Sequence, residues 1–220
     1  MLIMYEKLVE ELSNARVRLV AVSKTKPNEQ IMHFYDLGQR DFGENKVQDL
    51  VKKEASLPKD IRWHFIGHLQ TNKVKYIAPF VHLIHAVDNM KLLREIDKQA
   101  RRHNRIIPCL LQIKIASEAT KFGMSLDDAR EILRSDEFQQ FHNITIAGVM
   151  GMATFTMDEI QIRTEFSALR EAFNALKEEF FAEDAAFKER SMGMTDDWEI
   201  AVEEGSTMVR IGRSLFGERV

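Results

Sequence analysis

The chain has 220 residues, 45% hydrophobic and 30% charged, enough for one sizeable domain with a full core. A net charge of -3 gives nucleic acid or an anionic membrane no electrostatic footing, and the opening MLIMYEKLVEEL is too short and too acidic for a signal peptide or a membrane span. One cysteine, Cys109, excludes an internal disulfide and sits in the apolar run IIPCLLQI as a buried, inert thiol, so the cytoplasm is the simplest location.

Residues 3–14 carry Ile3, Leu8 and Leu12 at helical spacing and predict a leading helix. The stretch VRLVAVSKTKP (17–27) then reads as a strand buried on both faces, broken at Ser23-Lys24 and barred from continuing by Pro27. Lys24 therefore closes a core strand, either as a simple solvated end or with its amine at the lip of a site. Asn28 is placed to cap a helix carrying Ile31, Phe34 and Tyr35 that ends at Gly38. A short strand over 41–43 leads into Glu44-Asn45 and a helix over 47–55.

The alternation continues. WHFIG (63–67) is a third strand and 70–77 a short helix; 81–87 is a fourth strand, followed by a helix from Asn89 to His103 with Leu92, Leu93 and Ile96 inward. A fifth strand is expected over 107–115, then a helix opened by the capping-box pair Ser125 and Asp128. A sixth strand covers 144–150. Thr156 and Glu159 have the same capping spacing ahead of the longest helix, whose apolar residues from Ile162 to Phe180 step by four and three as a core-facing stripe. Residues 190–192 form a seventh strand, Thr195 is placed to cap a helix closed by Gly205, and 208–211 is the eighth strand.

Eight short strands alternating with helices call for an α/β fold of one (β/α)8 TIM-type barrel with an extra N-terminal helix, a single domain over 1–220. The competing open doubly wound sheet lacks support, because no Gly-x-Gly-x-x-Gly or Walker-type loop follows any strand. Barrel sites lie at the strand carboxyl ends. Those ends offer Lys24; Glu44 and Asn45; His64, Gly67, His68 and Gln70; Ser191 to Met194; and Arg210 with Gly212, Arg213 and Ser214. A hydroxyl at Ser191, the small Gly193 before a helix and Gly212 together make a candidate dianion cradle. A phosphate-anchored aldehyde would then meet the Lys24 amine and form a Schiff base. No metal set is expected: the seven histidines are scattered, and His82 and His85 are read as structural residues facing opposite sides of one strand. Nor is there a serine or cysteine nucleophile motif.

The segments AVSKTKP (21–27), FGENKVQ (42–48), WHFIGHLQTNK (63–73), SMGMTDD (191–197) and GSTMVRIGRSLFGER (205–219) closely resemble the pyridoxal phosphate homeostasis proteins of the YggS/PROSC type, relatives of the alanine racemase N-terminal domain. The resemblance implies a barrel binding pyridoxal 5'-phosphate (PLP) with Lys24 as the Schiff-base lysine. Ser191, Gly212 and Arg213 would hold the phosphate, Arg210 would face the pyridine nitrogen, and Asn45 would lie beside the ring. Threonine is usual in the family where this chain has Arg213, so either the backbone amide there, with Ser214, replaces the lost hydroxyl contact or the guanidinium adds its own.

A permanently charged arginine at the ring nitrogen disfavours its protonation and makes the ring a weak electron sink, against transaminase or decarboxylase chemistry. Two-base racemisation implies a second base, which in the racemases is a tyrosine from a separate C-terminal domain. This chain ends at Val220, and its tyrosines, Tyr5, Tyr35 and Tyr76, lie at no predicted strand end. The expectation is a non-catalytic carrier with no catalytic residues, buffering PLP or delivering it to apoenzymes. It is expected to be a monomer, without nucleic acid or membrane as partner. The alternatives are a PLP-dependent amino-acid racemase and a barrel that only binds other proteins.

Overall fold

A computed structural model describes residues 2–118 and 122–217, with the side chains of Leu2 and Ile3 outside the description. The predicted face of the first helix therefore rests on Leu8 and Leu12, both buried, and the last two residues of the fifth resemblance segment also lie outside the described residues.

Helix α1 (Leu2–Asn14) precedes strand β1 (Arg18–Val22), and the units then follow in turn: α2 (Asn28–Asp36), β2 (Asp41–Glu44), α3 (Val47–Ser56), β3 (Arg62–Phe65), α4 (Val74–Ile77), β4 (Leu83–Val87), α5 (Met90–Arg102) and β5 (Ile107–Gln112). The second half holds α6 (Leu126–Arg134), β6 (Ile144–Met150), α7 (Glu159–Phe180), β7 (Glu189–Ser191), α8 (Trp198–Glu203), β8 (Met208–Ile211) and the one-turn α9 (Arg213–Phe216). All neighbours pair in parallel in the order β1 to β8, and β8 returns to β1 with Met208 opposite Arg18 and Ile211 opposite Ala21. The sheet is a closed (β/α)8 barrel with an extra N-terminal helix, and closure leaves no open edge.

Strand alternation separates two cores. Val20, Leu83, Ala86, Leu110, Met150 and Met208 fill the barrel, whereas Leu19, Ala21, Phe42, Trp63, Phe65 and Val209 face the surrounding helices. Helix α7 buries Ile162, Phe166, Leu169, Phe173 and Leu176 on the predicted stripe. At the amino end of the strands, Arg18 pairs with Glu189 at 3.5 Å and Arg62 donates to Asp41 at 2.8 Å.

Several local readings change. The Ser125–Asp128 capping box forms, but α7 is capped by Asp158, whose carboxylate accepts from Ile160 and Gln161, while Thr156 accepts the Asp158 amide. Asn28 opens α2 without capping it and donates instead to Ser56. The fifth strand ends at Gln112, beyond which Ile113 makes only an isolated bridge to Met124.

Candidate functional site

A cavity of ≈ 630 Å³ opens at the carboxyl ends of the strands, a size ordinary for a small-molecule site. Val20 and Val22 point into the barrel from β1, and Lys24, two residues further on the same face, reaches the cavity wall. Thr25 follows in a left-handed conformation, φ 66°, and turns the chain away at once. Asn45, Arg210, Gly212 and Arg213 line the same cavity as Lys24. Thus five of the six predicted site residues come together. Ser191 does not.

The loop carrying Lys24 is braced from behind. Lys53 on α3 donates to the Ser23 carbonyl at 2.8 Å and to Glu44 at 2.6 Å, and the Ser23 hydroxyl donates to the same carboxylate at 2.7 Å. Glu44 was expected at the barrel mouth. Alternation along β2 instead turns it outward with Phe42, where it is fully buried against α3. Burial pushes its pKa up against the pull of Lys53, and its Oε2 has no hydrogen-bond partner among the described residues. On the cavity side Lys26 donates to the Gly217 carbonyl at 3.1 Å, tying the loop after β1 to the end of α9.

The loops after β7 and β8 meet at one end of the cavity. A Cβ on Gly212 would lie 3.0 Å from the Val22 carbonyl oxygen, so only glycine lets the backbone pass there without displacement. The Gly212 amide donates to the Thr195 hydroxyl at 3.4 Å, and the first amides of α9 precede any intrahelical donor. Thr195 does not cap α8: that position falls to Asp197, whose carboxylate accepts the Met194 amide. Arg213 donates to Asp196 at 2.8 Å, both side chains half-exposed on the rim. The hydroxyl that reaches this end of the cavity is therefore that of Thr195.

Ser191 is fully buried one layer deeper. Its Oγ accepts from Arg210 Nη1 at 2.6 Å and lies 2.9 Å from His85 Nδ1. Arg210 also donates from Nη2 to the Gly151 carbonyl at 3.0 Å, and desolvation lowers its pKa to about 10, so it remains a cation at neutral pH. Behind Ser191 the contacts continue: His85 Nε2 is 2.9 Å from His64 Nδ1, and His64 Nε2 is 2.9 Å from Asp41 Oδ1. Burial holds both histidines below their ordinary pKa. Burial would raise Asp41, but hydrogen bonds from Arg62 and His64 outweigh it and keep the carboxyl well below the usual carboxylate range.

The expectation that His82 and His85 face opposite sides is corrected, since both rings pack on His64, at 5.4 and 5.2 Å. His82 precedes β4, so strand alternation does not govern it. Asp41, His64 and His82 lie within ligand distance of one another, but both His64 nitrogens are already hydrogen-bonded. Thr195 and the His64–His85–Ser191 chain were missed because they depend on pairing across strands. One signal was present: Thr195 stands in the quoted segment SMGMTDD, where only Ser191 was assigned a ligand role. At the rim His68 stacks on Phe122 at 4.5 Å.

Comparison with known proteins adds four findings. The family described as alanine racemase, N-terminal domain, matches residues 5–220. A pyridoxal phosphate homeostasis protein of Aquifex aeolicus (strain VF5) is 40% identical over 203 residues, spanning 92% of this chain and 87% of that protein. PipY of Synechococcus elongatus PCC7942, solved with PLP bound, superposes with a TM-score of 0.85 at 33% identity, covering 97% of this chain and all of that one. The alanine racemase of Bartonella henselae shares the fold alone, at a TM-score of 0.72 and 12% identity, and this chain covers 58% of it.

Proposed function

The chain belongs to the pyridoxal phosphate homeostasis proteins within the alanine racemase N-terminal domain family, and on that premise we propose that it is a single PLP-binding domain over 1–220 that buffers PLP or delivers it to apoenzymes. The observation that carries this reading is the convergence of Lys24, Asn45, Arg210 and Gly212 on one cavity, with the Thr195 hydroxyl beside Gly212. The residues fit the group: a backbone cradle that a Cβ at 212 would obstruct, a fixed cation, and a lysine amine opposite.

When bound, PLP supplies an aldehyde that condenses with a primary amine and loses water. Lys24 provides that amine. The amides of residues 213 and 214 and the Thr195 hydroxyl would donate to the phosphate, with Gly212 giving the backbone room to approach it, in place of Ser191. Asn45 would lie beside the ring, and Arg210 would donate to the pyridine nitrogen, which would keep it unprotonated and make the ring a weak electron sink. No tyrosine lines the cavity among the described residues: Tyr5 is held at Gln39, Tyr35 at Asp60, and Tyr76 lies on α4. That absence supports a carrier without strong catalysis over a racemase. No helix among the described residues is long and apolar enough to cross a membrane. We read the protein as a cytoplasmic monomer that meets its client enzymes transiently.

Mixing the purified protein with PLP tests the reading. A visible absorption band that disappears in Lys24→Ala, with borohydride reduction and peptide mapping placing the modification on Lys24, is the expected result. No band in the wild type overturns it. Robust loss of optical rotation with L-alanine replaces the carrier with the racemase.

A further inference from the structure

The buried chain from Asp41 to Arg210 has a direction that follows from donor and acceptor chemistry. Asp41 is a carboxylate and only accepts, so His64 carries its proton on Nε2. A neutral His64 then offers a lone pair at Nδ1, which requires His85 to carry its proton on Nε2. His85 Nδ1 is left as an acceptor, and the group facing it is the Ser191 hydroxyl. Ser191 therefore donates inward and turns its lone pairs to Arg210, the only role open to it, because a guanidinium cannot accept. With His64 neutral, as its burial favours, each step permits one arrangement.

The consequence falls on Arg210. Its side chain is buried and forms no ion pair with a carboxylate among the described residues; Asp197 acts on it only through space. The contacts that hold its guanidinium plane are Ser191 Oγ and the Gly151 carbonyl. A serine hydroxyl alone rotates between donor and acceptor orientations. Locked by His85, it presents only an acceptor.

We propose that His85, supported by His64 and Asp41, is a positioning residue for Arg210: it fixes the Ser191 hydroxyl as a one-way acceptor and so aims the guanidinium at the pyridine nitrogen of bound PLP. This rests on the PLP reading above, in which Arg210 serves that nitrogen. His85 touches no ligand. Its two ring nitrogens have separable duties, which its isosteres divide. Asparagine reproduces the Nδ1 position and keeps an acceptor for Ser191, whereas glutamine reproduces the Nε2 position and loses it.

The experiment has two readouts. On the wild-type chain without cofactor, labelled with nitrogen-15 at histidine, two-bond proton–nitrogen correlations are expected to show His64 and His85 both neutral with the proton on Nε2. A charged ring at either position, or an Nδ1–H tautomer, overturns the proposal whatever the chain binds. With PLP labelled at the ring nitrogen, His85→Gln and His85→Leu are expected to move that resonance upfield, towards the protonated form, in the same direction as Arg210→Gln. They should also lose PLP about tenfold faster, the size of one charge-assisted hydrogen bond. His85→Asn should retain most of the wild-type shift. If Arg210→Gln moves the resonance and His85→Gln and His85→Leu do not, the relay is wrong and the PLP reading stands. If the wild type gives no PLP band at all, the PLP reading itself is wrong, while the tautomers still test the relay.

Discussion

Gly67 packs so closely on Asn45 that a methyl group at position 67 would lie 2.4 Å from the Asn45 carbonyl oxygen. The glycine just beyond β3 thus fixes the height at which the loop after β2 crosses the cavity, and with it the Asn45 side chain. Gly67→Ala must displace the backbone of Asn45, because no flexible side-chain end is there to yield. The expected cost is about 1–3 kcal/mol of stability, read by urea unfolding, together with weaker PLP binding by absorbance titration. If midpoint and affinity are both unchanged, Gly67 is not what holds Asn45.

Arg213 decides between the two readings left open by the loss of the usual threonine. Its guanidinium is engaged by Asp196, whose carboxylate would otherwise stand unpaired beside a phosphate. Arg213→Ala is expected to weaken PLP binding about 2–5-fold, the worth of an exposed ion pair, and the effect should shrink with added salt. Adding Asp196→Asn should then restore affinity. A double variant as weak as the single one would mean that the guanidinium contacts the phosphate directly.

Lys53 and Glu44 form a buried pair behind the Lys24 loop. Removing only the cation by Lys53→Met leaves a buried carboxylate and should cost about 3–5 kcal/mol by chemical denaturation. Lys53→Met with Glu44→Leu should recover most of that loss. The carbonyl of Ser23 loses its anchor in both variants, so PLP attachment at Lys24 is expected to slow in both. Attachment at the wild-type rate in both would show that the brace serves stability alone.

Acid should unfold the protein in two stages. His64 and His85 have folded pKa values below the ordinary one, so below about pH 6.5 the unfolded chain takes up protons that the folded chain refuses. Stability therefore falls as pH drops, by up to about 1.4 kcal/mol per pH unit for each fully buried histidine. The groups packed around them are Asp41, Arg62, Arg18, Arg210 and His82, the last lowered to about 4 by burial. Asp41, also lowered, adds a further loss only below its ordinary range near pH 3.9, shared with Asp60, Asp128, Glu137, Glu165 and Glu179, which are lowered too; Asp41→Asn should therefore make that second stage shallower. Urea midpoints from pH 7.5 to 3 give the profile; a flat line between 7 and 5 would mean the histidines take up protons equally in the folded and unfolded chains.

What could be read without coordinates was whatever local periodicity or spacing encodes. Strand β1 with Lys24 at its end, the α7 stripe and the Ser125 box all depend on neighbours in sequence. Ser191 shows the limit. A serine ending a strand faces the cavity or the layer below according to the stagger of β7 against β8, where Ser191 pairs with Met208, and stagger is a property of two strands. His64 and His85 looked like scattered histidines for the same reason, since 21 residues and a helix separate two rings in contact. The α7 cap failed more narrowly: Thr156 and Asp158 both offer an oxygen, and Asp158 stands adjacent to the first turn.

The filled barrel interior has a final consequence, for traffic. Below Arg210 the space is occupied by Ser191, His85 and His64 and by Val20, Leu110 and Met208, all buried, and the wall is a closed ring of strands. Among the described residues the cavity is thus closed towards the barrel interior, and His68, Phe122 and Phe155 belong to its lining. If the chain takes up PLP and passes it on, as proposed, entry and exit would share the opening at the carboxyl ends of the strands.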